Sequence, residues 1–282
     1  MNRPPLLAAL LTSVSIAHCC LGQAPPAPSD KPAAPTTDKP GVSPDKPKDD
    51  KTPSTPDAKL QACAKKYAGL RTYQDTGNVQ TEMDVPGIGV TKSDAPFSTA
   101  FERDGRFLWE FRSSATPGAK PDQQYVVWSK DQKKVHSFWT LQHEKDEHDG
   151  IPMAMAGPTG ISGGSATAIV PLLLPDFQLG FRTTDVTNAI EQKPEEIDGK
   201  KCTVIKGQYK SPAGDADVTL WIDDSMLIRK ITKIQVIDAR KIPGAEHLPK
   251  TPPFTAKTVI TIHPKADEKI EDKAFDPPAS VK

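Results

Sequence analysis

The sequence predicts an α+β domain built on a large antiparallel sheet. Roughly nine or ten short segments of β-favouring residues follow one another with turn residues between them, which is typical of antiparallel strands. A segment near residue 60 carries apolar residues at helical spacing, and one nearly all-apolar segment interrupts the series of strands. A sheet with this many strands usually curls into a barrel or splits into two packed sheets.

The N-terminal region is predicted to lie outside this domain. Residues 1–22 contain one early cation, Arg3, then an apolar run and small residues, which predicts a signal peptide cleaved after Gly22. Residues 23–57 consist mainly of Pro, Ala, Asp, Lys, Ser and Thr, so they cannot form a core and predict a disordered spacer. The folded domain is therefore expected at residues 58–282, exported to the periplasm or the cell envelope.

The cysteines leave two questions open. Acylation at Cys19 or Cys20 is the alternative to cleavage after Gly22, although the residues before each cysteine fit a lipobox badly. Cys63 and Cys202 remain in the mature chain, where an oxidising compartment favours one disulfide between them. Two separately buried thiols are the other reading, because sequence does not fix the distance between the two Cα atoms.

The domain is expected to begin with a helix and a long strand. Asp57 is a suitable N-cap for a helix of about 13 residues that ends near Arg71. Residues 72–84 then alternate between apolar and polar side chains like a strand, with Gly77 as a candidate bulge.

Residues 97–112 predict a β-hairpin with one aromatic face. A two-residue loop would mix aromatic and charged groups on one face, whereas a three-residue loop with Gly105 at positive φ separates them. The second register gives the cross-strand pairs Phe101–Phe107, Thr99–Trp109 and Phe97–Phe111. Because each buried aromatic side chain contributes about 1.5–3 kcal/mol, something must cover this face.

A second aromatic hairpin is expected at residues 124–129 and 134–141, which contain Trp128 and Trp139. The strand pattern then stops. Residues 143–149 are charged and predict a solvated loop, and a nearly all-apolar segment at residues 166–174 follows the glycines at 160, 163 and 164. A helix that is apolar on all sides must be buried or contact an apolar partner, so this segment is either plain core or a hinged lid.

The strands then resume to the end of the domain. They are predicted at residues 188–197, 201–209, 217–222, 227–237 and 255–263.

Composition and motifs argue against several classes of function. The net charge is zero with acids and bases interspersed, so no nucleic-acid-binding surface is predicted. Ser162 lies in a G-x-S-x-G motif, but no parallel β-α units surround it, and that motif is meaningful only on a strand-to-helix elbow. His143 and His148 are five residues apart, which does not place both on one helical face. We predict neither an enzyme, nor a metal, nor a cofactor.

Several motifs resemble those of the outer-membrane lipoprotein-sorting, or LolA/LolB-like, superfamily. They are Tyr-x-Asp at residues 73–75, Asp-Gly-Lys-Lys-Cys at 198–202, Trp-Ile-Asp at 221–223 and Phe-Asp-Pro-Pro at 275–278. The resemblance implies an incomplete, strongly curved antiparallel barrel with an apolar interior, closed by an N-terminal helix and a helical lid. It further implies binding of lipid or acyl chains without catalysis. The proline-rich spacer, the acidic loop and the lack of an identifiable lid-holding arginine depart from a dedicated carrier.

The expected function is an exported, non-catalytic and monomeric binding protein for a lipid, an acyl chain or another hydrophobic ligand. Its expected partners are a hydrophobic small molecule or a lipoprotein acyl chain, with an envelope or membrane partner also considered. A structural module of the cell envelope with a packed core is the alternative, and a serine hydrolase is the third. The candidate ligand-binding residues are Phe97, Phe101, Phe107, Trp109, Phe111, Trp128, Trp139, Ile169, Leu172 and Leu173.

Overall fold

The computed structural model describes residues 53–87, 89–114, 121–131, 134–177, 180–211, 214–238 and 252–281. The predicted signal peptide, Cys19, Cys20 and residues 23–52 of the predicted spacer lie outside the described residues. Within them the helices are α1 (Pro56–Gly69), α2 (Ile151–Ala156) and α3 (Val170–Leu173). The strands are β1 (Thr72–Val85), β2 (Gly89–Glu102), β3 (Phe107–Ser113), β4 (Gln123–Ser129), β5 (Val135–Trp139), β6 (Glu144–His148), β7 (Thr187–Ile197), β8 (Lys200–Ser211), β9 (Gly214–Asp223), β10 (Ile228–Ile237), β11 (Phe254–Ile262) and β12 (Lys265–Ala266).

The described strands form one antiparallel sheet in the order β6-β5-β4-β3-β2-β1-β11-β10-β9-β8-β7, and β12 pairs with β1. Strands β1 to β6 run outward from the middle of the sheet, and β7 to β11 return to it, where β11 pairs with β1. The two ends of the sheet, β6 and β7, do not pair with each other. This open sheet with a few helices confirms the predicted incomplete barrel of the α+β class.

The connection from β6 to β7, of which the structure describes residues 149–177 and 180–186, must pass from one end of the sheet to the other. We call it the crossing segment. Close contacts follow it in order: Gly157 lies under the Tyr125 hydroxyl of β4, Gly163 and Gly164 approach β1 and β11, and the Gly180 carbonyl accepts a hydrogen bond from Tyr209 of β8. Because order along the segment matches order across the sheet, it covers one face, which we call the inner face.

The hairpin β2–β3 has the predicted register. Phe101 pairs with Phe107, and the backbone N–H of Glu102 donates to the carbonyl of Arg106 at 2.9 Å, which closes a three-residue loop. Gly105 adopts φ 137°, a conformation that favours glycine. The Arg106 guanidinium donates two hydrogen bonds of 2.7 Å to the Glu102 carboxylate on the opposite face. The alternation of aromatic and polar residues was therefore sufficient to set this register.

Gly77 is not a bulge, which corrects the prediction. Its pairing with Phe97 of β2 and Ile262 of β11 continues the regular ladders of β1. A Cβ atom on Gly77 would lie 2.3 Å from Cζ of Phe97 and 2.5 Å from the carbonyl oxygen of Thr261. Glycine is present here because the ring of Phe97 packs directly on its backbone.

Helix α1 begins two residues before the predicted position. The Thr55 hydroxyl accepts a hydrogen bond from the backbone N–H of Ala58 at 3.2 Å, so Thr55 is the N-cap and the prediction of Asp57 is wrong. Pro56 then occupies the first turn, where its missing N–H has no cost. Asp57 lies in the same turn, where its negative charge interacts favourably with the positive end of the helix dipole.

The charged residues 143–149 do not form the predicted loop. Residues 144–148 form β6, which pairs with β5 along its whole length. Its side chains are largely exposed, so the strand has no apolar alternation to reveal it. Charged side chains are common on strands at the end of a sheet, where they discourage pairing with other chains.

The apolar helix predicted at residues 166–174 is divided in two. Ser165–Thr167 forms a 3-10 turn, and α3 begins at Val170. Pro171 has no backbone N–H to continue a helix from Thr167. The Thr167 carbonyl instead accepts a hydrogen bond from the N–H of Phe181 at 3.0 Å. The proline and this bond explain the break.

Among the described residues, two smaller clusters lie on the outer face of the sheet. Ile270 and Phe275 from the C-terminal residues pack on Ala100, Leu108, Val126 and Trp128. Arg106 fixes this tail, since it bonds Asp272 at 2.6 Å and lies 4.4 Å above the ring of Phe275. Cys202 belongs to the other outer cluster, with Val204 and Trp221.

Cys63 and Cys202 are both free and buried, so the disulfide reading is not supported. Cys63 lies on α1 in the cluster of the inner face, whereas Cys202 lies in an outer cluster. Burial raises the pKa of both thiols, which keeps them protonated at neutral pH. Separate positions on the two faces explain why they do not meet.

Candidate functional site

Eight of the ten predicted ligand-binding residues lie in one buried cluster between the inner face and the helices that cover it. They are Phe97, Phe101, Phe107, Trp109, Phe111, Ile169, Leu172 and Leu173. The first five come from β2 and β3, and the last three come from α3 and the residue before it, in the middle of the crossing segment. The structure thus brings together the aromatic hairpin and the apolar segment, as the sequence predicted. Ligand binding by these residues stays a prediction.

Trp128 and Trp139 do not lie with these eight. Trp128 pairs with Leu108 on the outer face and packs under the C-terminal tail. Trp139 pairs with Tyr125 on the inner side, with ring centroids 6.1 Å apart, but is only partly buried near the end of the sheet. Strand β4 has both faces covered at this point, so its run of apolar residues gave no sign of which side faces inward.

The aromatic rings of the inner face form a continuous series. The ring of Trp109 is stacked on that of Phe111, with centroids 6.0 Å apart and planes 4° apart. Tyr125 continues the series at 6.4 Å from Trp109. Phe101, Phe107 and Trp109 are 0% exposed. Such pairs add about 0.5–1.5 kcal/mol beyond the burial of their area.

Glycines set how closely the crossing segment approaches the sheet. Gly163 and Gly164 have φ values of 59° and 101°, which favour glycine. A Cβ on Gly163 would lie 2.8 Å from Cγ1 of Val79. These two residues therefore let the backbone turn while it touches β1, and their predicted action as hinges stays a prediction.

Arg103 is the residue that sequence reasoning missed. It lies in the β2–β3 turn and donates hydrogen bonds to four backbone carbonyls: Leu173 at 2.7 Å, Ala68 at 2.8 Å, Leu70 at 3.1 Å and Tyr67 at 3.2 Å. The first belongs to α3 and the others to the C-terminal end of α1, where carbonyls lack helical partners. One side chain thus ties the crossing segment to α1 and the sheet.

Three buried polar side chains, Tyr67, Tyr73 and Asp75, lie beside the aromatic series. The Tyr73 hydroxyl donates to Oδ2 of Asp75 at 2.8 Å, and the Tyr67 hydroxyl accepts from the backbone N–H of Ile228 at 3.1 Å. Burial raises the pKa of Asp75 to about 6, against hydrogen bonds from Tyr73 and Thr99 that lower it. Burial likewise raises the pKa of Tyr67 and Tyr73, so both hydroxyls stay protonated.

Within the described part of the chain, two buried side-chain atoms lack a hydrogen-bond partner: Oδ1 of Asp75 and Nε1 of Trp109. An unpaired buried polar atom costs roughly 1–3 kcal/mol, and most proteins have few. Lys233 of β10 is a further polar residue on the inner face, and its side chain is partly buried. Burial lowers its pKa, and its Nζ lies 5.9 Å from the Tyr209 ring centre.

Ser162 and His148, considered above for catalysis and metal binding, each form a hydrogen-bond contact within the fold. The Ser162 hydroxyl is buried and accepts a hydrogen bond from the N–H of Ala166 at 3.2 Å, within a turn between two 3-10 helices. His148 Nε2 lies 2.9 Å from the hydroxyl of Ser137. Among the described residues, no group of three or more His, Cys, Asp or Glu could hold a metal ion. No helix in the same residues is long and apolar enough to span a membrane.

The chain is similar to several solved structures at low sequence identity. Lipoprotein LppX of Mycobacterium tuberculosis has 16% identity and a TM-score of 0.39, with 78% of this chain and 98% of that chain covered. LprF of Mycobacterium bovis has 14% identity and a TM-score of 0.39, with 79% of this chain and 97% of that chain covered. A LolA superfamily protein of Nitrosomonas europaea has 11% identity and a TM-score of 0.27, with 77% of this chain and 97% of that chain covered.

The last of these carries the name of the superfamily that the sequence motifs resemble. No family model matches the chain, and no curated protein sequence matches it. At these identities and TM-scores we draw no function from the similarity.

Proposed function

We propose that this chain is an exported, non-catalytic binding protein for a lipid, an acyl chain or another hydrophobic ligand. The ligand lies between the aromatic inner face and the crossing segment. The observation that most supports this proposal is how the inner face is closed. The crossing segment, which covers its stacked aromatic rings, consists of short helical turns joined by glycines. Arg103 holds α3, in the middle of that cover, by a hydrogen bond to the carbonyl of Leu173.

The cover is suited to opening because it has little stability of its own. Helices α2 and α3 have six and four residues, well below the length at which a helix is stable alone in water. The crossing segment therefore owes its position to its contacts with the sheet and α1. Segments of this kind open locally without unfolding the rest of a protein.

A structural module of the cell envelope is the second candidate. In its favour, the eight inner residues are each 5% exposed or less, so the interior is closely packed in this state. The two candidates differ in whether the cover exchanges with an open state that admits a ligand. A hydrolase finds no support at Ser162, because the hydroxyl of this residue is buried and bound to the backbone.

Export is proposed on the features of residues 1–22, with anchoring at Cys19 or Cys20 as the less favoured variant. The location would be the periplasm or the cell envelope, and a role in lipoprotein trafficking is the finer form of the proposal. The chain would act as a monomer, with a lipoprotein acyl chain or a membrane lipid as partner and no nucleic acid. The predicted spacer would separate the domain from a surface.

Titration of the mature chain with a fluorescent fatty-acid analogue tests the proposal. We expect saturable binding, displaced by unlabelled long-chain lipids. Trp109→Leu should weaken this binding, whereas Trp221→Leu, the same change in an outer cluster, should leave the affinity within about twofold. Absence of saturable binding, with no lipid co-purifying from an envelope extract, would favour the packed structural module.

A further inference from the structure

The two buried atoms without partners lie in one row across the inner face. Asp75 of β1 is directly opposite Thr99 of β2, and Thr99 is directly opposite Trp109 of β3. Residues opposite one another on antiparallel strands point to the same side, and neighbouring strands are about 4.8 Å apart. Asp75 and Trp109 therefore stand two strands apart on the same face, with the short side chain of Thr99 between them.

The two atoms are chemically complementary. Nε1 of Trp109 can only donate a hydrogen bond, and an ionised carboxylate can only accept one. Tyr73 donates to Oδ2 of Asp75, whereas no hydrogen bond reaches Oδ1, although the nearby hydroxyl and backbone N–H of Thr99 also favour the ionised carboxylate. The cluster around this row is apolar or aromatic apart from the hydroxyls of Tyr67 and Tyr73, and Phe97 and Phe101 lie on either side of Thr99 along β2. The row is thus a small polar position inside an apolar interior.

A hydroxyl group is the simplest ligand group that satisfies both atoms, since it donates one hydrogen bond and accepts others. An ether oxygen or an ester can accept from Trp109 but cannot donate to Asp75. A carboxylate would place a second negative charge near Asp75 in a region of low dielectric constant, where like charges repel strongly. With its pKa near 6, Asp75 is mostly ionised above neutral pH and then requires a donor.

We propose that Asp75 and Trp109 form a polar anchor that holds the hydroxyl group of a neutral lipid, such as a long-chain alcohol or an acylglycerol. This inference rests on the proposed function, because it names the ligand class of the same interior site. The aromatic rings beside the anchor hold the hydrocarbon chain. The anchor gives the protein a preference for hydroxylated neutral lipids over free fatty acids and over chains without a donor.

Two isomeric probes test the anchor at pH 8: 1-dodecanol and methyl undecyl ether. They have the same atoms, but only the alcohol can donate a hydrogen bond. Displacement of a fluorescent fatty-acid analogue gives both affinities, with dodecanoate as the anionic probe. We expect the wild-type protein to bind the alcohol about tenfold more tightly than the ether, as one hydrogen bond to a charged group implies. Dodecanoate should bind more weakly than the alcohol.

Two substitutions separate the two halves of the anchor. Trp109→Phe keeps the aromatic ring but removes the N–H, so both probes should bind about five- to tenfold more weakly. In Asp75→Asn the amide can itself donate to the ether, so the ratio of alcohol to ether affinity should fall below about threefold. Trp221→Phe makes the same change in an outer cluster, where Nε1 bonds Glu195, and should alter neither affinity. Thermal melts establish that each variant is folded.

The outcomes separate the anchor from the proposed function. Equal affinity for alcohol and ether in the wild-type protein, unchanged in both variants, overturns the anchor while lipid binding stands. Failure of every probe, and of the fluorescent analogue, to bind overturns the proposed function and the anchor with it. If dodecanoate binds best and Lys233→Met removes that preference, Lys233 holds the head group and the anchor is wrong.

Discussion

Asp75 shows how one buried carboxyl can couple folding to pH. Burial raises its pKa from a usual value of 3.8 to about 6, so between these values the folded chain holds a proton that the unfolded chain has lost. Stability from this group is therefore greatest at low pH and falls as the pH rises through 6. A shift of this size corresponds to roughly 3 kcal/mol.

Asp75→Asn should reveal this coupling. Asparagine does not ionise, so the free energy of unfolding of the wild-type protein should fall relative to that of the variant by roughly 2 kcal/mol between pH 4.5 and pH 7.5. Urea denaturation of both proteins at several pH values measures the difference, and titration of all other groups cancels in the comparison. A difference that is constant with pH would mean that Asp75 titrates near its usual value.

Arg103 is expected to hold α3, in the middle of the crossing segment, against α1. Lysine at this position keeps the charge but lacks the planar group that reaches α1 and α3 together. We expect Arg103→Lys to lower the free energy of unfolding by roughly 1.5–3 kcal/mol. Amides of residues 170–174 should exchange faster. Denaturant titration and hydrogen exchange with mass spectrometry provide the two measurements.

Arg112→Lys is the matched control for Arg103→Lys. Arg112 pairs with Glu110 through a side chain that is half exposed, and exposed ion pairs contribute little. Its replacement should change the free energy of unfolding by less than about 0.5 kcal/mol. Equal effects of the two substitutions would show that Arg103 has no special role.

At the scale of elements, the sequence revealed strands best where only one face is apolar. The β2–β3 register followed from the alternation of Phe97, Thr99 and Phe101 with polar residues, and the structure has that register. Strand β6 was not predicted, because it is stabilised by backbone hydrogen bonds to β5 and not by burial of its side chains. Its existence depends on an end of the sheet that only the assembled fold provides.

Gly77 gives a prediction that concerns the packing of β1 on β2. Gly77→Ala should lower the free energy of unfolding by roughly 1–3 kcal/mol, because the new methyl group meets both the ring of Phe97 and the backbone of Thr261. Chemical denaturation measures the loss.

Gly69→Ala is the control for this substitution. Gly69 ends α1 with nothing within 4 Å of its added Cβ, so alanine should leave stability unchanged or raise it by up to about 1 kcal/mol. A loss as large as that of Gly77→Ala would indicate a general cost of removing glycine.

At the scale of the whole molecule, the interior unites residues that are far apart in sequence. Motifs predicted the open barrel, and alternation predicted the aromatic part of the inner cluster that β2 and β3 supply. They did not predict Arg103, because its partners on α1 and α3 lie 33 or more residues away on either side. Nor did they place Trp128, since its side of the sheet depends on where the C-terminal tail packs.

The crossing segment connects these scales, and its mobility is the property on which the proposed function depends. We expect amides of residues 157–175 to exchange faster than those of residues 97–112, since the segment has short helices and the hairpin lies inside the sheet. Addition of the fluorescent fatty-acid analogue should slow exchange in the segment. Hydrogen exchange on the free and ligand-bound protein measures both effects.

Leu173→Lys tests the closed state directly. Leu173 is 0% exposed, and a lysine there would bury an unpaired charge, so the closed segment should be destabilised and ligand affinity should fall at least about tenfold. Met153→Lys introduces the same charge on α2, where Met153 is 67% exposed, and should change neither exchange nor affinity appreciably. Suppose instead that Leu173→Lys binds as tightly as the wild-type protein, and that residues 157–175 exchange as slowly as the hairpin. The crossing segment would then be ordinary core, because a cover that neither opens nor responds to a buried charge cannot admit a ligand.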